Sequence, residues 1–423
     1  MDELDQPLIG LEKIMLFNND ILYEISTHLQ LNEKKKLRLI NRMFDDCIIK
    51  IFFCKYFIHC HFLAENYKIK SKKVVVCRPC KLCDQYVKRF NLNIVIPNHV
   101  THFNFEIPWS KFLYLGSSVT HLTFGPEYYK KTTIPSSVTH LKFGRDYNRH
   151  TTVPNSVTHL TFRQKYNQPI VVPESVLHLT FGENYDQPTI IPESVSHLIF
   201  GKYYNQPINI PDSVTYLILG ARYSHSIVLP NSVKHLEFGI DYNLPTILPA
   251  SLTYLKFGFS YNQETHIPNS VEYLKFGFCY NIPTKLPGSL TSLKFGWKYN
   301  QPTDFQTCHY ITKLKLGSDY NHPTIIPNSV GILTICPKYK STIFNIITNP
   351  ITHLVLEYVS EKCHNYYSAL PSSLTSLKLN FNYFPNWRQK KEIKECMSNV
   401  GFTYWKEYQP HGTISFSLFF IKK

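Results

Sequence analysis

Two groups of residues in this 423-residue chain have side chains that could do chemistry. The first is Cys54, His59, Cys60 and His61, followed by Cys77, Cys80 and Cys83 in a C-x-x-C-x-x-C run. Thiolates this close can face one metal, so Cys77, Cys80 and Cys83, with one ligand from the earlier group, would suit zinc. The spacing is not that of a standard finger, and the reading preferred here is a set of reduced cysteines in a packed helical linker, with no cofactor expected. The second group is a column of imidazoles. His102, His121, His140, His159, His178 and His197 recur every nineteen residues, and the same slot then holds Tyr216, His235, Tyr254 and Tyr273. Two residues further on, a second column carries Lys142, Lys256, Lys275, Lys294, Lys315 and Lys378, with threonines elsewhere.

A row of histidines invites a metal site or a pH sensor. If the column lies on a β-sheet, its members are about 4.8 Å apart. One metal could then collect no more than two of them, and mutual repulsion would depress their protonation. The plainer account is that His, like Tyr, fills a half-exposed sheet position of a repeat. A falling pH is nevertheless expected to charge the column and weaken a cationic or neutral partner. No phosphate-cradling glycine loop, G-x-S-x-G or H-E-x-x-H is present. Ser, His and Asp recur with the repeat, which argues for structural use. The chain is expected not to be an enzyme.

The element that must position both columns is a nineteen-residue unit. One copy, Pro135 to Val153, reads PSSVTHLKFGRDYNRHTTV, and proline returns at Pro154, Pro173, Pro192, Pro211, Pro230, Pro249, Pro268 and Pro287. Units this regular stack on their neighbours as a solenoid. Within each, V-x-x-L-x-F places Leu and Phe inward around one outward residue, as in Val157, Leu160 and Phe162. A glycine such as Gly144 ends the strand, and a Tyr-Asn pair follows, whose Asn side chains should stack as a ladder. With two prolines in most units, no room remains for an outer helix. The register slips after Pro287: Gln306 fills the next slot, Pro327 comes two residues late, and Pro350 and Pro371 mark degenerate copies. Loops or distorted coils are expected there.

The strand pattern is that of a leucine-rich repeat, in which such columns line the concave sheet. The fuller pattern P-x-S-V-T-H-L-x-F-G-x-x-Y-N-x-P resembles the FNIP repeat, a leucine-rich-repeat variant found in social amoebae and in giant viruses of amoebae. The name-giving tetrapeptide occurs most fully as Tyr280-Asn281-Ile282-Pro283. The resemblance covers about two-thirds of the chain and implies a fold and a binding role without naming a ligand.

Residues 17–47, FNNDILYEISTHLQLNEKKKLRLINRMFDDC, show helical spacing at Leu22, Ile25 and Leu29 and again at Leu37, Ile40 and Phe44. They resemble an F-box, with Asp20 and Glu24 in step and Asn18 where that family has proline. The resemblance implies docking on a Skp1-like adaptor of a cullin ubiquitin ligase through Phe17, Ile21, Leu22, Ile25, Leu29, Leu37 and Ile40. An amphipathic helix pair that merely caps the array would show the same spacing.

Composition narrows the rest. The net charge is +15, but the lysines are dispersed apart from Lys34, Lys35 and Lys36, which speaks against nucleic acid as the partner. An acidic, polar start and no apolar run of eighteen residues argue against a signal peptide and a membrane span. Eleven cysteines that ignore the repeat point to a reducing, intracellular setting, which the resemblance to giant-virus proteins would make the host cytoplasm. The expected fold is mainly β: an F-box-like helical region (1–55), a Cys-rich linker or cap (56–92), an LRR-like solenoid with a parallel sheet on its concave face (93–379) and a carboxy-terminal cap (380–423). The expected function is a non-catalytic adaptor whose repeats hold an unknown target protein. The alternatives are a scaffold with no ubiquitin link and, third, a basic nucleic-acid binder.

Overall fold

The computed structural model describes residues 48–51, 73–76, 94–95, 100–105, 113–126, 128–129, 132–322, 324–335, 351–357, 370, 372–381, 385, 387–408 and 416–422. The chain forms two units, Met1–Val195 and Ser196–Lys423.

Each nineteen-residue copy makes one coil, and the coil from Pro154 to Val172 shows why. Val157 donates its N–H to the Pro154 carbonyl at 3.1 Å, a tight turn that the fixed proline φ favours. A three-residue strand, His159–Thr161, follows, with Leu160 fully buried and its two neighbours half-buried. Phe162 and Tyr166 then turn inward, and their rings stack within the coil at 3.9 Å. Tyr166 closes the second turn by donating to the Arg163 carbonyl. Val172 ends the coil buried, whereas Val171 beside it stays 89% exposed. Burying each such large apolar side chain stabilises the coil by roughly 1.5–3 kcal/mol.

In the first unit the strands at His102–Phe105, His121–Phe124, His140–Lys142, His159–Thr161 and His178–Thr180 pair in parallel, with His opposite His and apolar opposite apolar. In the second unit the same parallel ladder runs from His197–Ile199 to Ser376–Phe381. Inside, each unit carries an aromatic stack. Tyr128, Tyr147, Tyr166 and Tyr185 lie 6.0–6.3 Å apart in the first. Tyr204, Tyr223, Tyr242, Tyr261, Tyr280, Tyr299 and Tyr320 lie 6.2–6.3 Å apart in the second. Offset stacks of this kind add to area burial.

Polar side chains tie coil to coil. The Asn ladder forms: Asn148 Oδ1 accepts from the Asn167 N–H at 3.0 Å, and in the second unit Asn262, Asn281 and Asn300 repeat this at 2.8–2.9 Å. A serine ladder runs alongside, as Ser156 Oγ donates to the Val138 carbonyl at 2.7 Å. Glycine is needed where backbones nearly touch: a Cβ on Gly277 would lie 1.6 Å from the Gly258 carbonyl oxygen.

The ladder starts upstream of residue 93. Ile48–Ile51 and Lys73–Val76 are strands, paired in parallel with each other and, for the second, with His102–Phe105. They fall within the residues read from sequence as helical region and linker. Their runs, IIKI and KVVV, are β-branched and suit a pleated surface, but lack the proline and glycine that mark a repeat. A separate pair, Ile94–Val95 with Leu113–Tyr114, is also parallel.

The insertion near Gln306 leaves the ladder intact, since Ser292 still pairs with Lys313. The extra residues are absorbed in a turn at Phe305–Cys308, where Gln306 N–H meets Asp304 Oδ1 at 2.9 Å. At the far end Ser376–Phe381 takes an antiparallel partner, Phe416–Lys422, which also pairs with Phe402–Tyr408. A strand placed there covers an edge that would otherwise template association. Phe402–Tyr408 had no clear sequence signal. The helix Trp387–Asn399 buries Ile393 and Met397 and ends at Gly401, whose φ of 86° suits glycine.

Candidate interaction face

The outward strand positions form two half-exposed columns, as the period-2 pattern requires. In the first unit His102, His121, His140, His159 and His178 stack with centroids 3.9–4.2 Å apart and planes tilted by 10–13°. Hydroxyls set four of these rings: Thr101, Thr120, Thr139 and Thr158 each lie 2.9–3.0 Å from the Nδ1 of the histidine that follows. In the second unit His197, Tyr216, His235, Tyr254 and Tyr273 continue the slot at 3.9–5.4 Å.

Parallel rings have parallel lone pairs, which do not converge on one ion. Among the described residues no group of three or more His, Cys, Asp or Glu is placed to hold a metal. Burial and the imidazoles of His121 and His178 hold the His140 pKa below its ordinary value. Burial likewise lowers that of His235, against the opposing pull of Glu237 at 3.4 Å.

The lysine column is less uniform. In the first unit only Lys142 occupies it, and burial and Arg163 lower its pKa. In the second unit Lys256 contacts Glu237 at 2.5 Å, Lys315 contacts Glu357 at 2.6 Å, and Lys294 sits 5.3 Å from the centre of the Tyr273 ring. Lys275 has no acidic partner within 4 Å among the described residues.

Phe17, Ile21, Leu22, Ile25, Leu29, Leu37 and Ile40 lie outside the described residues, as do Cys77, Cys80 and Cys83. Sequence reading missed two features. One is the pairing of most of the stacked, buried tyrosines with a threonine four residues on, as in Tyr299 and Thr303 at 2.9 Å. The other is a column one residue past the glycine slot. Its identities are readable, but the repeat consensus averages them away.

The strand-turn coil, its parallel ladder and its aromatic interior define a leucine-rich-repeat-like β-solenoid. Eight overlapping stretches, from 111–146 to 242–279, match the family described as FNIP Repeat. The crystal structure of CroV588, described as "a novel circular LRR protein structure", is similar at 31% identity and a TM-score of 0.58. The match covers 75% of this chain and 52% of that one, so the chain spans about half the length of that protein. Among curated proteins no sequence matches the chain. Residues 111–279 therefore carry FNIP repeats, within a leucine-rich-repeat-like solenoid. No helix among the described residues is long and apolar enough to cross a membrane.

Proposed function

We propose that this chain is a non-catalytic protein-interaction scaffold whose outward strand columns receive a target protein. The supporting observation is the half-exposed row of stacked rings in each unit, His102 to His178 in the first and His197 to Tyr273 in the second, held at one-coil spacing by the parallel ladder. Rings and lysine stems held this way offer contact area without loss of rotamer freedom on binding. The test places a photo-crosslinking residue at Tyr216 or Tyr254, and as controls at Val228 or Ile247, in the full chain inside cells. Protein adducts at the strand columns and not at the controls are expected. Equal or absent labelling would overturn the reading, and adducts to nucleic acid that fall steeply with salt would favour a basic nucleic-acid binder.

Within this proposal the amino-terminal segment links the scaffold to a ubiquitin ligase in a reducing intracellular compartment. Phe17, Ile21, Leu22, Ile25, Leu29, Leu37 and Ile40 would supply the apolar surface for a Skp1-like adaptor. The pattern of residues 17–44 supports this. Co-purification with Skp1 that is lost in the double variant Leu22→Asp and Ile25→Asp is expected. Failure to bind Skp1, or binding that ignores those changes, leaves a scaffold without a ubiquitin role.

A further inference from the structure

We propose that Ile240, Phe259, Phe278 and Trp297, with the lysines beside them, form the docking ridge for an acidic protein segment bearing apolar side chains. The inference rests on the interaction reading above and gives it a location. The four residues occupy the first position after Gly239, Gly258, Gly277 and Gly296, in four consecutive coils of the second unit. Elsewhere the same slot holds Pro126, Arg145, Gln164, Glu183, Lys202, Ala221 or Ser318, none of them aromatic. The apolar run is therefore a local departure from the repeat, and the fold does not need it.

Its geometry is fixed in advance. Phe259 and Phe278 stack at 4.5 Å, and Phe278 and Trp297 at 5.8 Å. The backbone beneath is clamped, because the carbonyls of Ile240, Phe259, Phe278 and Trp297 each accept an N–H from the next coil at 2.8–3.0 Å. Yet Ile240 remains 52% and Phe259 49% exposed. A contiguous, rigid apolar strip left open to water is characteristic of a contact surface. Stacked rings present their edges outward and keep their faces against one another, so nucleobases cannot slide between them. This disfavours single-stranded nucleic acid, which binds by stacking on open faces.

Charge selects the partner. Three residues before each ridge position stand Glu237, Lys256, Lys275 and Lys294 in turn. The first two neutralise one another at 2.5 Å. Lys275 and the exposed Lys298, beside Trp297, have no acidic partner within 4 Å among the described residues, and Lys294 faces only the Tyr273 ring at 5.3 Å. The positive excess thus lies at the Phe278–Trp297 end. A segment with aromatic or aliphatic anchors and Asp or Glu at one flank satisfies both features.

The experiment selects a random linear peptide library on the full-length chain. It repeats the selection on Phe259→Ser with Phe278→Ser, and on Lys275→Glu with Lys294→Glu. None of the four side chains is buried, and unchanged melting checks that the variants fold. Peptides combining acidic and apolar residues should be enriched by the parent. They should bind the first variant about tenfold or more weakly, and lose their acidic preference on the second. Enriched peptides that bind both variants as tightly as the parent would refute the ridge while leaving an interaction protein. Recovery of basic or wholly polar peptides would refute the stated chemistry. No enrichment from any form would overturn the ridge and count against the wider reading as well.

Discussion

Removing one hydroxyl from the tyrosine stack should have opposite signs at two positions one coil apart. Tyr147 and Tyr166 are both buried, with their rings 6.2 Å apart. The Tyr147 hydroxyl pairs with Thr151, whose own proton goes to the Arg149 carbonyl at 3.1 Å. At Tyr166 the residue four positions on is Ile170, and the hydroxyl is buried with no hydrogen-bond partner. Burial pushes the pKa of both up, but only at Tyr147 does a threonine hydrogen bond oppose it. In Tyr147→Phe a satisfied hydrogen bond is lost and Thr151 keeps its carbonyl partner, so the cost should be about 1 kcal/mol. In Tyr166→Phe an unsatisfied buried group disappears, which should stabilise by about 1–3 kcal/mol. Ring stacking is unchanged in both. Repeat arrays need not unfold in one step, so the assay is amide hydrogen exchange over residues 135–185 combined with urea unfolding. Tyr223 beside Ile227 provides a second instance in the other unit, with a hydroxyl again unpartnered and a pKa pushed up to about 12. Two changes of the same sign, or a clear loss of stability in Tyr166→Phe, would refute the reasoning.

Three further outcomes are expected. Because the folded His140 pKa lies below its ordinary 6.5, the unfolded chain takes up that proton first, and stability should fall as pH drops below 6.5. Melting should therefore come earlier at pH about 5.5 than at about 7.5, and His140→Gln should narrow the gap; an unchanged gap removes the histidine from the explanation. Gly277→Ala sets a Cβ 1.6 Å from the Gly258 carbonyl and should cost about 1–3 kcal/mol as the coils separate, read as faster exchange across 258–299. Asn281 Oδ1 accepts from Asn300 N–H at 2.8 Å and Gln301 Nε2 at 3.1 Å; at this exposed site Asn281→Ala should cost about 0.5–1.5 kcal/mol, and no loss would reduce the ladder to decoration.

What was legible in the sequence follows from periodicity. Val157, Leu160 and Phe162 recur every nineteen residues, so their inward direction, the outward histidines and the Asn ladder could all be read before any coordinates. Some signals without that period were not legible: Ile48–Ile51 and Lys73–Val76 join the ladder on β-branched character alone, and Phe402–Tyr408 pairs antiparallel outside it. More instructive are the places where the period hides information. Comparing copies favours what they share, and what they share is set by the need of each coil to match the next. The shared histidines, serines and asparagines mostly answer neighbouring coils. The shared rings still offer a partner contact area, but which partner is selected is expected to depend on whatever breaks the match without being required by the stack. Half-buried Ile170 breaks it at the edge of the core and leaves the buried Tyr166 hydroxyl unpaired, which registers as stability. Phe259, Phe278 and Trp297 break it at the surface, where no neighbouring coil requires an aromatic ring. Their effect should therefore register in binding and leave stability nearly untouched. Independence of those two readouts in Phe259→Ser with Phe278→Ser is the physical distinction between a residue that builds the array and one that uses it.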